Sequence, residues 1–207
     1  MFRVGCMQVM TDDEVRIFVR QNQWATGLQI DANERSIYYD NSECRCIELK
    51  YPETPFKVPY FARLLSFLGI GAEEHFDGAV LWITFSDIGS PQLVKSGWKL
   101  VEKMRLGFGE TRELRAAPGH SFRSDEFVEL SAFLLPCFMF GWDAYLLPAR
   151  GDHFVHISHD EYCAVVVKNT DVFKTLFKQL ESVRPVIGKE GTTAKFCRPN
   201  TSPDKTS

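Results

Sequence analysis

The sequence is poor in the features that usually declare a protein's chemistry. Its six cysteines, Cys6, Cys44, Cys46, Cys137, Cys163 and Cys197, are scattered through 207 residues. They are too sparse for a disulfide framework, and none falls in a Cys-x-x-Cys pair suited to zinc or redox work. Cys44 and Cys46 would share one face of a strand and are expected to be reduced, partly buried thiols. Long apolar runs are missing too. The longest lies near Phe133–Trp142, well short of the roughly 20 residues that span a bilayer, so no membrane association is expected. The first residues, Met1-Phe-Arg-Val-Gly-Cys, lack a basic segment leading into an apolar one, and a cytoplasmic location is the expectation. There is no internal repeat and no G-x-S-x-G elbow. Gly107-Phe-Gly109-Glu follows a helical pattern and lacks the later Gly-Lys-Ser/Thr, which excludes a phosphate-binding loop.

What is abundant is core material. Apolar residues make up 44% of the chain and charged residues 25%, with 17 Phe and four Trp. That balance belongs to a soluble globular protein. The net charge of −3 hides an uneven distribution. Residues 95–123 carry seven basic and three acidic side chains, a net +4, between stretches of net −5 and net −2. A basic block of this kind is either a solvated helix face or a docking patch for an anion. From Arg184 onward Pro, Gly, Thr, Ser and Lys replace apolar periodicity. The expectation is one domain over 1–187 and a disordered tail over 188–207.

Local signals outline the elements. Thr11-Asp-Asp-Glu14 is a capping box opening a helix to about Gln21. Ile37–Tyr39 and Cys44–Lys50 read as strands joined by a turn at Asp40-Asn-Ser. Pro59 and Gly69 bracket a short helix with an apolar face. Ala79–Phe85 is an apolar run with the length of a central strand. Ser90-Pro91 opens a helix that Gly107 ends, with Val94, Trp98 and Val101 at helical spacing. A further helix starts at Ser124, runs through Leu130, Leu134 and Phe138, is bent at Pro136 and closes at Gly141. Ala144–Leu147, Phe154–Ser158 and Tyr162–Lys168 read as consecutive strands, and Asp171 caps a last helix through Leu180. The sum is an α+β domain: a largely antiparallel sheet with about five helices packed on it.

Three short elements follow one another between Leu114 and Tyr162: Pro118-Gly-His-Ser-Phe122, Gly141-Trp-Asp-Ala144 and Ser158-His-Asp-Glu161. With the Leu81-Trp-Ile83 strand, they make residues 80–170 resemble a bacterial protein family with Pro-Gly-His-x-Phe, Gly-Trp-Asp-Ala and Ser-His-Asp-Glu elements. The chain departs from that pattern after the strand, where Thr84-Phe-Ser-Asp-Ile-Gly-Ser-Pro stands in place of a tryptophan-rich segment. The resemblance implies one contiguous fold and brings no established activity.

The five histidines are the first candidates for chemistry. His153, His156 and His159 are spaced by three, which on a strand sends His153 and His156 to opposite faces. Alternation is therefore expected to scatter the imidazoles, and neither a metal site nor a cofactor is expected. An enzymatic alternative gathers His120, Asp143, His159 and Asp160 into a cleft, with a carboxylate-paired imidazole as general base. Lys95, Lys99 and Lys103 form one basic ridge at i, i+4, i+8, and together with Arg112 and Arg115 they would hold an anionic substrate or partner. Trp142 is a further candidate contact residue. Nucleic acid is disfavoured, because the net charge is negative and no nucleic-acid-binding motif is present. The expected function is non-catalytic binding of another protein, of the immunity or inhibitor type. The alternative is a small hydrolase- or transferase-like enzyme acting on an anionic substrate.

Overall fold

The computed structural model of the chain describes residues 7–22, 28–30, 35, 37–39, 45–51, 78–85, 91–149, 153–168, 171, 174, 175 and 178. In chain order the elements are β1 (Gln8–Met10), α1 (Asp12–Gln21), β2 (Leu28–Ile30), β3 (Ile37–Tyr39), β4 (Arg45–Lys50) and β5 (Ala79–Phe85). They continue with α2 (Pro91–Gly107), β6 (Gly119–Phe122), a 3₁₀ turn (Ser124–Glu126), α3 (Phe127–Phe140), β7 (Asp143–Leu147), β8 (His153–Ser158) and β9 (Tyr162–Val167). Seven strands make one sheet in the order β1-β6-β5-β7-β8-β9-β4, and β2 and β3 form a separate pair. Every one of these strand pairings is antiparallel. The α+β class and the antiparallel sheet thus match the expectation.

The register explains why the central strands read as unbroken apolar runs. His120, Leu81, Leu146, Val155, Val165 and Ile47 lie in one cross-strand row. Those side chains face α2 and α3, where Leu130, Phe133, Leu134, Cys137, Phe138 and Val101 complete a core. The next row, Gly119, Trp82, Tyr145, His156 and Ala164, faces the other way. There Val15 and Val19 of α1 and Ile37 of β3 close a second core. With both faces covered, each strand is apolar on both sides and period-2 alternation disappears. Fully burying one such Leu, Ile or Phe contributes about 1.5–3 kcal/mol.

The helix ends are set by local chemistry. Thr11 Oγ1 accepts from the Glu14 amide at 3.3 Å, and Glu14 Oε2 accepts from the Thr11 amide at 2.7 Å, so the capping box is formed. Asp12 then receives the Trp82 indole N–H at 2.9 Å, pinning α1 to the central strand. Gly141 closes α3 in the left-handed region at φ 65°, a conformation a Cβ disfavours. Pro136 lies inside α3, so the Ala132 carbonyl loses its helical donor on the exposed side of the helix.

Several expectations are corrected. Ser124 is not the cap residue but the first residue of the 3₁₀ turn leading into α3; Arg123 stands at the cap, and its amide donates to Glu126 Oε2 at 2.9 Å. Ile37–Tyr39 and Arg45–Lys50 do not form a hairpin; the first pairs with β2 and the second with β9. The strands β1, β2 and β6, of three, three and four residues, lie outside the strands that the sequence pattern marks. β1 and β6 pair with each other from far apart in the chain, and β2, which pairs with the nearby β3, is only three residues long, so none of them leaves a local periodicity. Among the described residues there are three α-helices, not five. The helix expected over 59–69 and the tail over 188–207 lie outside the described residues, and residues 171, 174, 175 and 178 of the last expected helix are helical. Among the described residues no helix is long and apolar enough to cross a membrane.

Candidate functional site

Two places in the molecule gather the candidate residues. The first lies where β7 begins and β8 turns into β9. Ending α3 at Gly141 buries Trp142 and brings Asp143 into β7, beside a slip in the β5–β7 ladder between Ile83 and Phe85. The Asp143 carboxylate then serves the neighbouring turn. Oδ1 accepts the His159 amide at 2.9 Å, and Oδ2 lies 2.7 Å from His159 Nδ1. His156 Nε2 stands 3.8 Å from Oδ1, and His159 Nε2 lies 3.4 Å from Asp160 Oδ1. The His156 ring stacks on Tyr145 at 4.5 Å, with Tyr162 edge-on at 6.0 Å. The Ile37 amide donates to the Tyr145 hydroxyl at 3.2 Å, which ties the start of β3 to the strand beside His156.

The expectation of scattered imidazoles therefore holds for His153 and His156, which face opposite sides of β8, but not for His156 and His159. The turn swings His159 back onto the face that His156 occupies, and both meet one carboxylate. With the Asp143 carboxylate as acceptor, His159 Nδ1 is the donor of this contact, and Nε2 faces Asp160. Burial holds the His156 imidazole below the ordinary range against the opposing pull of Asp143, so it is a neutral ring. The described cysteines, Cys46, Cys137 and Cys163, are buried thiols. Burial pushes the Cys137 and Cys163 thiols up, away from thiolate chemistry. Among the described residues no group of three or more His, Cys, Asp and Glu side chains is disposed to hold a metal ion.

His120 does not join this corner. It points into the α2–α3 core, fully buried, with its ring 4.8 Å from that of Phe133. Burial, with the cationic Arg105 nearby, lowers its pKa to about 3. The Leu81 and Pro118 backbones lie close to the ring and pull weakly the other way, but neither nitrogen reaches a partner in good hydrogen-bond geometry among the described residues. Arg105 is itself buried and donates to the Ala117 carbonyl at 2.8 Å and the Arg112 carbonyl at 3.0 Å, tying the loop before β6 to α2. The arginines are also occupied. Arg112 forks onto Glu110, holding that carboxyl at about 2, and donates to the Val9 carbonyl at 3.1 Å. Arg115 lies over the Trp98 ring at 5.2 Å. Trp142 is fully buried and packs on Phe140, so it is a core residue and not a surface contact.

The second place is the outer side of the helical layer. Lys95, Lys99 and Lys103 are exposed on the side of α2 opposite the buried Gly97, Val101 and Arg105. None of the three forms an ion pair with another described residue. On α3 the side opposite the core is apolar. Val128 is 73% exposed and Met139 45%, with Ala132 exposed and Leu135 half-buried between them. Spacings of four, three and four place these residues on one stripe. A helix apolar all round is ordinarily buried all round, and this one is not. Helical spacing through Leu130, Leu134 and Phe138 marks only the inward positions of α3. The signal that would have revealed the stripe is that positions 128, 132, 135 and 139 are as apolar as the core set.

Set against protein-family models, curated proteins and solved structures, the chain finds no match.

Proposed function

We propose that the chain is a non-catalytic protein-recognition module of the immunity or inhibitor type, acting in the cytoplasm, that binds its partner with the outer face of the α2–α3 layer. The observation that carries this reading is the apolar stripe of Val128, Ala132, Leu135 and Met139 on a helix whose other side already fills a core. Contiguous exposed apolar surface is unusual on a monomer and marks interaction sites. The aliphatic positions supply the desolvated centre that a protein interface needs, and the neighbouring lysines supply a polar rim. The test is co-purification from the native host with the wild-type chain and with Val128→Asp. A stoichiometric partner that survives washing with the wild type and is lost with the variant supports the reading. No stoichiometric partner at any salt overturns it.

A second reading is a small hydrolase- or transferase-like enzyme on an anionic substrate. The hydrogen bond between Asp143 and His159 favours it, since a carboxylate-oriented imidazole is the base half of a proton-transfer pair. In that reading His159 is the base, Asp143 orients it, and Asp160 faces Nε2. His120 has no part, and the cations of α2 and its following loop belong to another region.

A further inference from the structure

Resting on the protein-recognition reading, we infer that the partner's contact segment is an amphipathic helix bordered by acidic residues. Its apolar side lies on the α3 stripe and its carboxylates lie over the α2 lysines.

The shape of the surface argues for a helix. The stripe runs from Val128 to Met139 on a single helix, a rise of about 16 Å, which three turns of a partner helix would match. Apolar side chains at four-three-four spacing present knobs that receive a second helix with anchors at i, i+3, i+4 and i+7. An extended strand would need an open backbone edge, which an α-helix does not offer.

The charge argues for acid. Lys95, Lys99 and Lys103 stand on adjacent turns of the neighbouring helix and face outward from the same layer. Glu102 is the single acidic residue of α2 and is half-buried; Glu129 of α3 is also half-buried. The face therefore has three exposed cations and no exposed carboxylate on either helix to balance them. A second copy of this chain is the poorer occupant. In a two-fold pairing through α3 the partner face would bring three further lysines and no acid row. Nucleic acid would neutralise the lysines but leave the apolar stripe bare.

The experiment uses the full chain and two synthetic peptides of about 20 residues, long enough to hold a helix. Their apolar positions are identical and repeat as i, i+3, i+4, i+7. The border positions are Glu in one and Lys in the other. Binding is read by fluorescence anisotropy and by amide shifts of the isotope-labelled chain. The acidic peptide is expected to bind at least about tenfold tighter at low salt and to lose that margin as salt rises. Its amide shifts are expected to centre on 95–103 and 128–139. Replacing all three lysines by Glu is expected to reverse the preference, and Val128→Ser with Met139→Ser to weaken both peptides. Equal binding of the two peptides, or shifts centred elsewhere, overturns the inference. So does concentration-dependent self-association that Val128→Ser abolishes, because a second copy is then the occupant. The inference fails alone where the host partner is still captured through Val128 but the acidic peptide has no advantage. The underlying reading fails where no host partner is captured.

Discussion

Asp143 shows how one carboxylate can organise a corner of a sheet. It accepts the His159 backbone amide and meets the His159 ring, with His156 close by. The two bonds differ in worth. His159 is 39% exposed at its side chain, so its ring contact is screened and contributes little. The amide bond reaches a carboxylate that is only 17% exposed, where loss leaves a donor unpaired. His159→Ala is therefore expected to change stability by no more than about 0.5 kcal/mol. Asp143→Ala, which removes the acceptor, is expected to cost about 1–3 kcal/mol. Urea denaturation of both variants checks the order. If instead the two variants are equally stable but both abolish hydrolysis of an anionic ester that the wild type cleaves, the enzymatic reading replaces the binding one.

At the scale of elements, close approach is set by two glycines. A Cβ at Gly97 would meet Trp142 Cζ2 at 2.6 Å and Phe140 Cδ2 at 2.8 Å, so α2 lies against the end of α3 only because position 97 has no side chain. A Cβ at Gly119 would strike a Val15 methyl and come within 3.0 Å of Met10 Cβ. That contact gives the Pro-Gly-His element a packing reason: α1 rests on β6 at the glycine. Gly97→Ala is expected to cost about 1–3 kcal/mol by overpacking. Gly107→Ala, where nothing lies within 4 Å of the added carbon, is expected to stay within about 0.5 kcal/mol of wild type or to gain slightly. Thermal melts of the pair check this. An unchanged melting point for Gly97→Ala would show that α2 slides away from Trp142 at little cost.

The whole molecule carries its acid sensitivity in groups buried by the sheet. His120 takes up its proton near 6.5 when exposed and only near 3 when folded. Between those values the unfolded chain holds the extra proton, so stability rises with pH through this window and is complete above about 6.5. His156, also held low by burial, acts in the same direction. Glu110 adds a contribution that is present above its ordinary 4.5 and lost as pH falls toward 2. The expected outcome is progressive destabilisation on acidification below about pH 6.5, measured by urea titration at stepped pH. His120→Leu is expected to flatten that dependence by one proton, about 1.4 kcal/mol less loss per pH unit. At neutral pH it is expected to lie within about 1 kcal/mol of wild type, since a buried ring with at most weak backbone contacts is replaced by an apolar side chain. An unaltered slope would mean that His120 is charged or water-bonded in the native state.

What could be read along the chain was whatever is decided within a few residues. The Thr11–Glu14 capping box, the central strand Ala79–Phe85, the left-handed stop at Gly141 and the run of strands after it were all legible, because caps, φ preferences and short connections act locally. The Asp143–His159 pairing was named only as one member of a larger cleft. The tertiary structure alone decided that Ile37–Tyr39 and Arg45–Lys50 part company, and that three short strands exist at all. It also decided that His120 turns into a core while His156 and His159 meet at one carboxylate, and that one apolar side of α3 stays exposed. Those outcomes depend on pairing register and layer packing between residues far apart in sequence, where a shift of one position would send every side chain of a strand to the opposite face.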